Sequence, residues 1–391
     1  VNSAPPGGWP TPRSLYIHVP FCRHRCGYCN FSVVAGRDDL QGRFLHAAET
    51  ELASIDHPAD VPLETVYLGG GTPTQLSMPR LERLIDSVRN RFQIADTVEF
   101  TVEANPEDIT NVLLDMLVDT GVNRLSLGVQ SFDNAKLRLL QRGHTGDQAI
   151  DSVRRACESI ANVSIDLIFG TSGETIEQWN EELRIASTLP IRHISTYSLT
   201  YEKGTQFWSR RRSGELQEVP EDTDIAMYRQ CRRRLQAAGF EHYEISSFAR
   251  PSARSRHNSA YWNGQGWYAV GPGAARFVNG ARHVNHRSPT TYIKRVLDGG
   301  DATIETEVIS LDQHARELAA FGIRQIDGID LNVLNERLGY DFASELQPII
   351  ESCFTHKLLQ HHAGRIRLTP RGRLLADRVE MQILEWPENP K

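Results

Sequence analysis

Three cysteines stand within eight residues, Cys22-x3-Cys26-x2-Cys29, and put three thiolates on one short loop. Thiolates are soft ligands that suit zinc, copper or iron–sulfur clusters. A structural zinc wants four protein ligands, and here His18 or His24 would have to supply the fourth. A four-iron cluster on three cysteines leaves one iron free to take an outside ligand. The other three cysteines, Cys157, Cys231 and Cys353, stand singly in helix-like stretches and read as buried small hydrophobes rather than parts of a disulfide framework. A second group, Gly69-Gly70-Gly71-Thr72-Pro73-Thr74, follows a strand-like run. Its consecutive glycines allow positive φ and close backbone approach.

These residues need a frame to hold them. From residue 14 to about 203 the chain alternates short β-branched runs with amphipathic stretches. The pattern predicts strands over 15–19, 65–68, 98–102, 124–129, 163–169 and 193–199. Between them it predicts helices over about 39–55, 79–92, 110–119, 133–141, 147–161 and 175–188. Parallel strands need crossover connections, so six such units imply a parallel sheet in an α/β fold. Six fall short of the eight that close a full barrel, so the expected form is an open, partial (β/α)6 barrel, with a doubly wound sheet as the alternative. Function in such folds sits at the C-terminal strand ends. The cysteines follow the first predicted strand and the glycines the second; Glu103, Gln130 and Asp166 fall at or near the ends of the next three.

Residues 1–13, rich in Pro and Gly, read as a flexible lead-in without the basic start and apolar stretch of a secretory signal. Residues 204–300 form a mixed extension of weak periodicity, and 301–391 a small helical domain ending in a hairpin and a helix, like a winged helix. The net charge of −6 argues against a nucleic-acid partner held by bulk electrostatics. No run of 18 apolar residues is present, so no membrane span is expected and a cytoplasmic location is.

The cysteine spacing at the end of the first strand resembles the radical S-adenosylmethionine superfamily. In that superfamily the open iron chelates the amino and carboxylate groups of S-adenosylmethionine, and an electron passed through the cluster cleaves the sulfonium. The likeness narrows with Tyr16-Ile17-His18-Val19-Pro20-Phe21-Cys22 and Cys26-Gly27-Tyr28-Cys29-Asn30-Phe31. Together with Gly128-Val129-Gln130-Ser131-Phe132 and Asp166-Leu167-Ile168-Phe169-Gly170, these runs resemble the oxygen-independent coproporphyrinogen III oxidase family over nearly the whole chain. The resemblance implies a radical-SAM barrel with a 4Fe-4S cluster on Cys22, Cys26 and Cys29. It implies S-adenosylmethionine contacts from Tyr16, Gly70, Gly71, Thr72, Glu103, Gln130, Arg142 and Asp166. Many relatives carry Gly-Leu-Pro-Gly after the aspartate strand; here Gly170 is followed by Thr171-Ser172-Gly173, so no substrate contact is assigned to that loop.

Two features divide the family. The oxidases have a fourth cysteine two positions after the third, and this chain has Phe31 there. The heme chaperone group has phenylalanine and an H-N-x-x-Y-W motif, matched by His257-Asn258-Ser259-Ala260-Tyr261-Trp262. Histidine is a common axial ligand of heme iron, and tyrosine and tryptophan offer flat apolar surface to a macrocycle. The resemblance therefore implies heme as bound cargo at His257, Tyr261 and Trp262, with His283 and His286 as competing ligands. It also implies heme-accepting apoproteins, an electron donor and peripheral contact with membrane heme proteins. The rival readings are a coproporphyrinogen III oxidase and another heme-modifying radical enzyme.

Overall fold

Leu15, Ile17, Val66, Leu68, Phe100, Val102, Leu125, Leu127, Val163 and Ile165 are fully shielded from solvent. Strands built from such residues suit a parallel sheet covered by helices. In the computed structural model, which describes residues 4–385, they form β1 (Ser14–Val19), β2 (Leu63–Gly70), β3 (Ile94–Ala104), β4 (Arg124–Gln130), β5 (Asn162–Phe169) and β6 (His193–Ser198). Residues 1–3 of the expected lead-in and 386–391 of the expected terminal domain lie outside the described residues.

The intervening helices are α1 (Gln41–Ser54), α2 (Met78–Arg91), α3 (Asn111–Asp119), α4 (Asn134–Leu139), α5 (Gly146–Ser159) and α6 (Ile176–Thr188). Reciprocal caps fix two starts: Thr145 with Gln148 opens α5, and Thr175 with Gln178 opens α6. Each of β1 to β5 pairs in parallel with the next. The result is the partial barrel expected.

Beyond residue 203 come α7 (Gln206–Arg212) and α8 (Glu221–Ala237), then β7 (Glu241–His242), β8 (Ser247–Ala249), α9 (Arg256–Trp262) and β9 (Tyr268–Val270). All three short strands join the main sheet, whose order is β9-β1-β2-β3-β4-β5-β6-β8-β7. β9 lies parallel to β1, while β8 and β7 extend the other edge antiparallel. With two separate edges, the barrel stays open. Part of the expected extension is thus integral to the sheet; strands of two or three residues are too short to show a period of two.

A second antiparallel sheet follows from β10 (Ala275–Val278), β11 (Ala281–Asn285) and β12 (Thr303–Val308), with α10 (Pro289–Leu297) between the last two. The terminal part holds α11 (Leu311–Gly322), α12 (Leu331–Leu338), α13 (Phe342–Thr355), the hairpin β13 (Leu359–His362) and β14 (Arg365–Leu368), and α14 (Ala376–Leu384). It has its own core, including Leu318, Ile323, Leu346, Ile350, Ile366 and Val379. The lead-in expected to be loose is anchored: Trp9 packs edge-on to Phe277 at 5.7 Å and His314 at 4.9 Å. A large aromatic ring buries enough surface to hold a Pro- and Gly-rich segment down.

Candidate functional site

The cysteine loop leaves the end of β1 and is tied at its neck. Phe21–Cys22 pairs in parallel with Val34–Ala35, and the Val34 amide donates to the Pro20 carbonyl at 2.8 Å. Inside the loop the Cys29 amide donates to the Cys26 carbonyl at 3.0 Å. Gly27 is required: a Cβ there would lie 2.6 Å from the Phe207 ring. All three cysteines line a cavity of about 1100 Å³ at the C-terminal strand ends. Arg142 Nη1 lies 3.6 Å from the Cys26 sulfur, and Thr72 Oγ1 lies 4.0 Å from that of Cys22.

Burial pushes the Cys22 thiol up to about 12 and raises that of Cys29. These thiols therefore stay protonated until a metal displaces the proton. Among the described residues no three His, Cys, Asp or Glu side chains gather to hold a single metal ion. Of the histidines considered as a fourth ligand, His18 has both ring nitrogens engaged, by Tyr16 and the Ser32 carbonyl, while His24 Nε2 lies 3.7 Å from the Cys26 sulfur. Three soft donors around a roomy cavity, with a guanidinium beside one of them, fit an iron–sulfur cluster that keeps an open iron.

Facing the loop, β2 ends on the glycine run. Gly70 has φ of 106°, and a Cβ there would collide with the His18 ring. At Gly71 a Cβ would lie 2.7 Å from the Phe21 carbonyl oxygen and 2.9 Å from that of Val19. The Gly71 and Thr72 amides donate to these two carbonyls, Gly71 to Val19 at 2.8 Å and Thr72 to Phe21 at 2.7 Å. The glycines thus join the second strand to the root of the cysteine loop.

Two carboxylates lie deeper. Glu103 accepts from the Tyr67 hydroxyl at 2.6 Å and the Gly70 amide at 3.1 Å, and burial pushes it up to about 7. Burial likewise pushes Asp166 up to about 6. Arg142 donates to Asn105 and, at 2.9 Å, to the Gly128 carbonyl. Asn105 in turn donates to Thr72 Oγ1 at 3.1 Å, so it links the glycine run to the arginine. Sequence reasoning missed Asn105; its place directly after β3 was the available signal.

The larger cavity brings together Gly70, Gly71, Thr72, Glu103, Gln130, Arg142 and Asp166 with the three cysteines. Tyr16 lines a smaller neighbouring cavity of about 680 Å³ instead. The two cavities share wall residues Asn30, Phe31, Gly70, Glu103 and Arg287. Phe31 is 63% exposed on this seam. Tyr261 and Trp262 line the smaller cavity, together with Trp267 and Phe277.

His257 is elsewhere. It is 1% exposed and absent from both cavity walls. Its Nδ1 bonds Thr65 Oγ1 at 2.8 Å, its Nε2 bonds the Tyr261 hydroxyl at 2.7 Å, and its ring stacks on Tyr67 at 5.0 Å. Burial lowers its pKa to about 3, so the ring is neutral. With both nitrogens bonded, it has no free lone pair for iron in this arrangement; its visible role is to hold Tyr261. His283 and His286 also lie off both walls.

An open parallel barrel with three thiols facing its strand-end cavity is the architecture of a cluster-bearing α/β protein. Residues 16–186 match the model of the radical SAM superfamily, and residues 309–375 match the HemN C-terminal domain. The chain is 34% identical to the heme chaperone HemW of Lactococcus lactis over 374 residues, 95% of this chain and 97% of that protein. It is 32% identical to heme chaperone HemW of Bacillus subtilis, covering 94% of this chain and 98% of that protein. Its fold is similar to that of the coproporphyrinogen III oxidase HemN from Escherichia coli, with a TM-score of 0.83 at 22% identity, over 97% of this chain and 91% of that one. The chain belongs to the radical SAM superfamily, with a HemN-type C-terminal domain, and is closely related to the HemW/HemN-like branch. Among the described residues no helix is long and apolar enough to cross a membrane.

Proposed function

We propose that this chain is a heme chaperone: it binds a 4Fe-4S cluster, S-adenosylmethionine and heme, and passes heme to apoproteins. The observation that carries the reading is Phe31, an exposed apolar side chain on the seam of the two cavities, where an oxidase would need a fourth thiol. Relatives named as heme chaperones, similar over nearly their whole length, support it.

Cys22, Cys26 and Cys29 would hold the cluster. Gly70, Gly71, Thr72, Glu103, Gln130, Arg142 and Asp166 would contact S-adenosylmethionine, with Tyr16 bordering it from the adjacent cavity. When bound, the two groups supply reductive cleavage of the cofactor sulfonium. This chain's own contribution is electrostatic and steric. Glu103 and Asp166, once ionised, offset the cofactor's positive charge, and Arg142 balances the thiolates and a carboxylate. Tyr261 and Trp262 offer the apolar wall for heme. An electron donor, heme-accepting apoproteins and contact with membrane heme proteins complete the proposal. Action in the cytoplasm belongs to the same proposal.

The test is to give reconstituted protein hemin and coproporphyrinogen III in parallel. Hemin should bind with a shifted Soret band and move to an added apo-heme protein, while coproporphyrinogen III stays unconverted. Formation of protoporphyrinogen with no hemin transfer would overturn the reading in favour of the oxidase.

A further inference from the structure

Seven arginines line the larger cavity, and five of them are engaged. Arg23 pairs with Asp108, Arg25 donates to the Cys29 carbonyl, and Arg142 donates to Asn105 and the Gly128 carbonyl. Arg287 donates to the Asn30 carbonyl, and Arg324 holds both Asp377 and Glu380. Arg373 and Arg378 remain. Among the described residues neither guanidinium makes a hydrogen bond or an ion pair, and Arg373 Nε is buried without a partner. Both stand on the wall supplied by the terminal part, Arg373 on the 3-10 turn Gly372–Leu375 and Arg378 on α14. The turn is held firmly. The Gly372 amide donates to Thr369 Oγ1 at 2.9 Å and the Arg373 amide to the Thr369 carbonyl at 3.0 Å, while a Cβ at Gly372 would collide with the Leu358 carbonyl oxygen.

Arg373 is also crowded by its own kind. Burial and the like charges of Arg232 and Arg367 lower its pKa to about 10, so it still carries its charge at neutral pH. Of the carboxylates on this cavity wall, Asp377 is held by Arg324, and Glu202 pairs with neither free arginine. A partly buried cation pressed by other cations and matched by no carboxylate destabilises the chain on its own. An anion entering the cavity would offset it. There is room for one, since about 1100 Å³ exceeds the roughly 300–1,000 Å³ of a site for a single drug-sized ligand. The residues proposed to contact S-adenosylmethionine lie along the ends of β2 to β5. Beyond them Leu199, Ile245, Leu374 and Leu375, each partly exposed, give the wall between β6 and the terminal part an apolar lining.

We infer that Arg373 and Arg378 form an anion subsite in the larger cavity, for the carboxylate or phosphate end of a small organic ligand whose apolar body lies along Leu199, Ile245, Leu374 and Leu375. A guanidinium presents parallel N–H groups that match either oxyanion. The subsite is separate from the proposed S-adenosylmethionine contacts and does not depend on where heme sits.

The experiment is a fluorescence titration of the full chain with its cluster reconstituted, with and without S-adenosylmethionine. The probes are naphthalene-2-carboxylate, 2-naphthyl phosphate and the neutral naphthalene-2-carboxamide. Wild type should bind at least one anion, and bind the amide at least about tenfold more weakly, because a guanidinium gains more from a charged partner. The tighter anion identifies the oxyanion. Arg373→Gln should weaken that anion at least about tenfold and Arg378→Gln, on an exposed side chain, by less. Neither should alter amide binding or S-adenosylmethionine affinity. Arg373→Met should melt no lower than wild type when free of ligand, a result that a structural role for Arg373 would reverse. If Arg373→Gln fails to fold, Arg378→Gln decides alone. Equal binding of acid and amide, unchanged anion affinity in both glutamine variants, or a wild type that binds no probe would each overturn the assignment.

Discussion

Glu103 and Asp166 show how one residue type changes character with depth. Their pKa values, pushed up by burial to about 7 and about 6, stand above the ordinary 4.5 and 3.8. The folded state without cofactor therefore holds more protons than the unfolded one. The stability this contributes is full below the unfolded values and is lost as pH rises through about 6 to 7. Glu103→Gln should thus raise the melting temperature of the cofactor-free protein at pH about 8 and leave it little changed at pH about 5. Binding has the opposite sign. A cationic cofactor needs ionised carboxylates, so S-adenosylmethionine affinity, read by calorimetry, should fall as pH drops through the same window, and the fall should shrink in Glu103→Gln. Affinity flat across that window would remove both carboxylates from the cofactor site. The residues of the larger cavity were legible in the sequence because their types announce chemistry and they sit beside strand ends. The seat of His257 was not, because its bonded nitrogens depend on a remote partner: Thr65 is 192 residues away.

At the scale of elements, the glycine run is a joint between β2 and the cysteine loop. The sequence alone suggests that a side chain at Gly71 would obstruct only the cofactor. The structure puts that side chain against the Phe21 and Val19 carbonyls, at the root of the loop that carries Cys22. Gly71→Val should therefore lower iron and sulfide content after reconstitution, as well as cofactor affinity, and cost about 1–3 kcal/mol through overpacking. Full cluster occupancy with weakened cofactor binding would show that the loop tolerates the change. The long strands and their helices were legible because each carries several periods of its pattern. The predicted strand over 163–169 and the observed Asn162–Phe169 differ by one residue. The pieces Glu241–His242, Ser247–Ala249 and Tyr268–Val270 carry about one period each, and only pairing with the existing sheet makes them strands.

Across the whole molecule, the terminal part roofs both cavities. Arg324, Arg373 and α14 residues Ala376 to Arg378 reach the larger one, and His314, Leu318 and Phe321 of α11 reach the smaller. One side chain ties this roof to the barrel-bound motif. Arg324 pairs with Asp377 at 2.9 Å and Glu380 at 2.6 Å, and its guanidinium lies 5.5 Å from the centre of the Trp262 ring. It is only 20% exposed, so its pair with Glu380 is partly shielded from water and salt, while Asp377 is 89% exposed. Removing it would leave the Glu380 carboxylate, itself 15% exposed, without that partner and take a cation from the tryptophan face. Arg324→Ala should therefore cost about 1–3 kcal/mol and speed amide hydrogen exchange in α14 more than in β1 to β6. If the roof also retains heme, the same variant should release hemin faster, because Trp262 on the wall of the smaller cavity loses its cation. Arg324→Lys should recover the ion pairs only in part, since a lysine offers one point charge where the guanidinium reaches two carboxylates and stacks on a ring. Exchange in α14 that matches wild type would mean that the terminal core alone holds the roof down, through Val379 and Ile383.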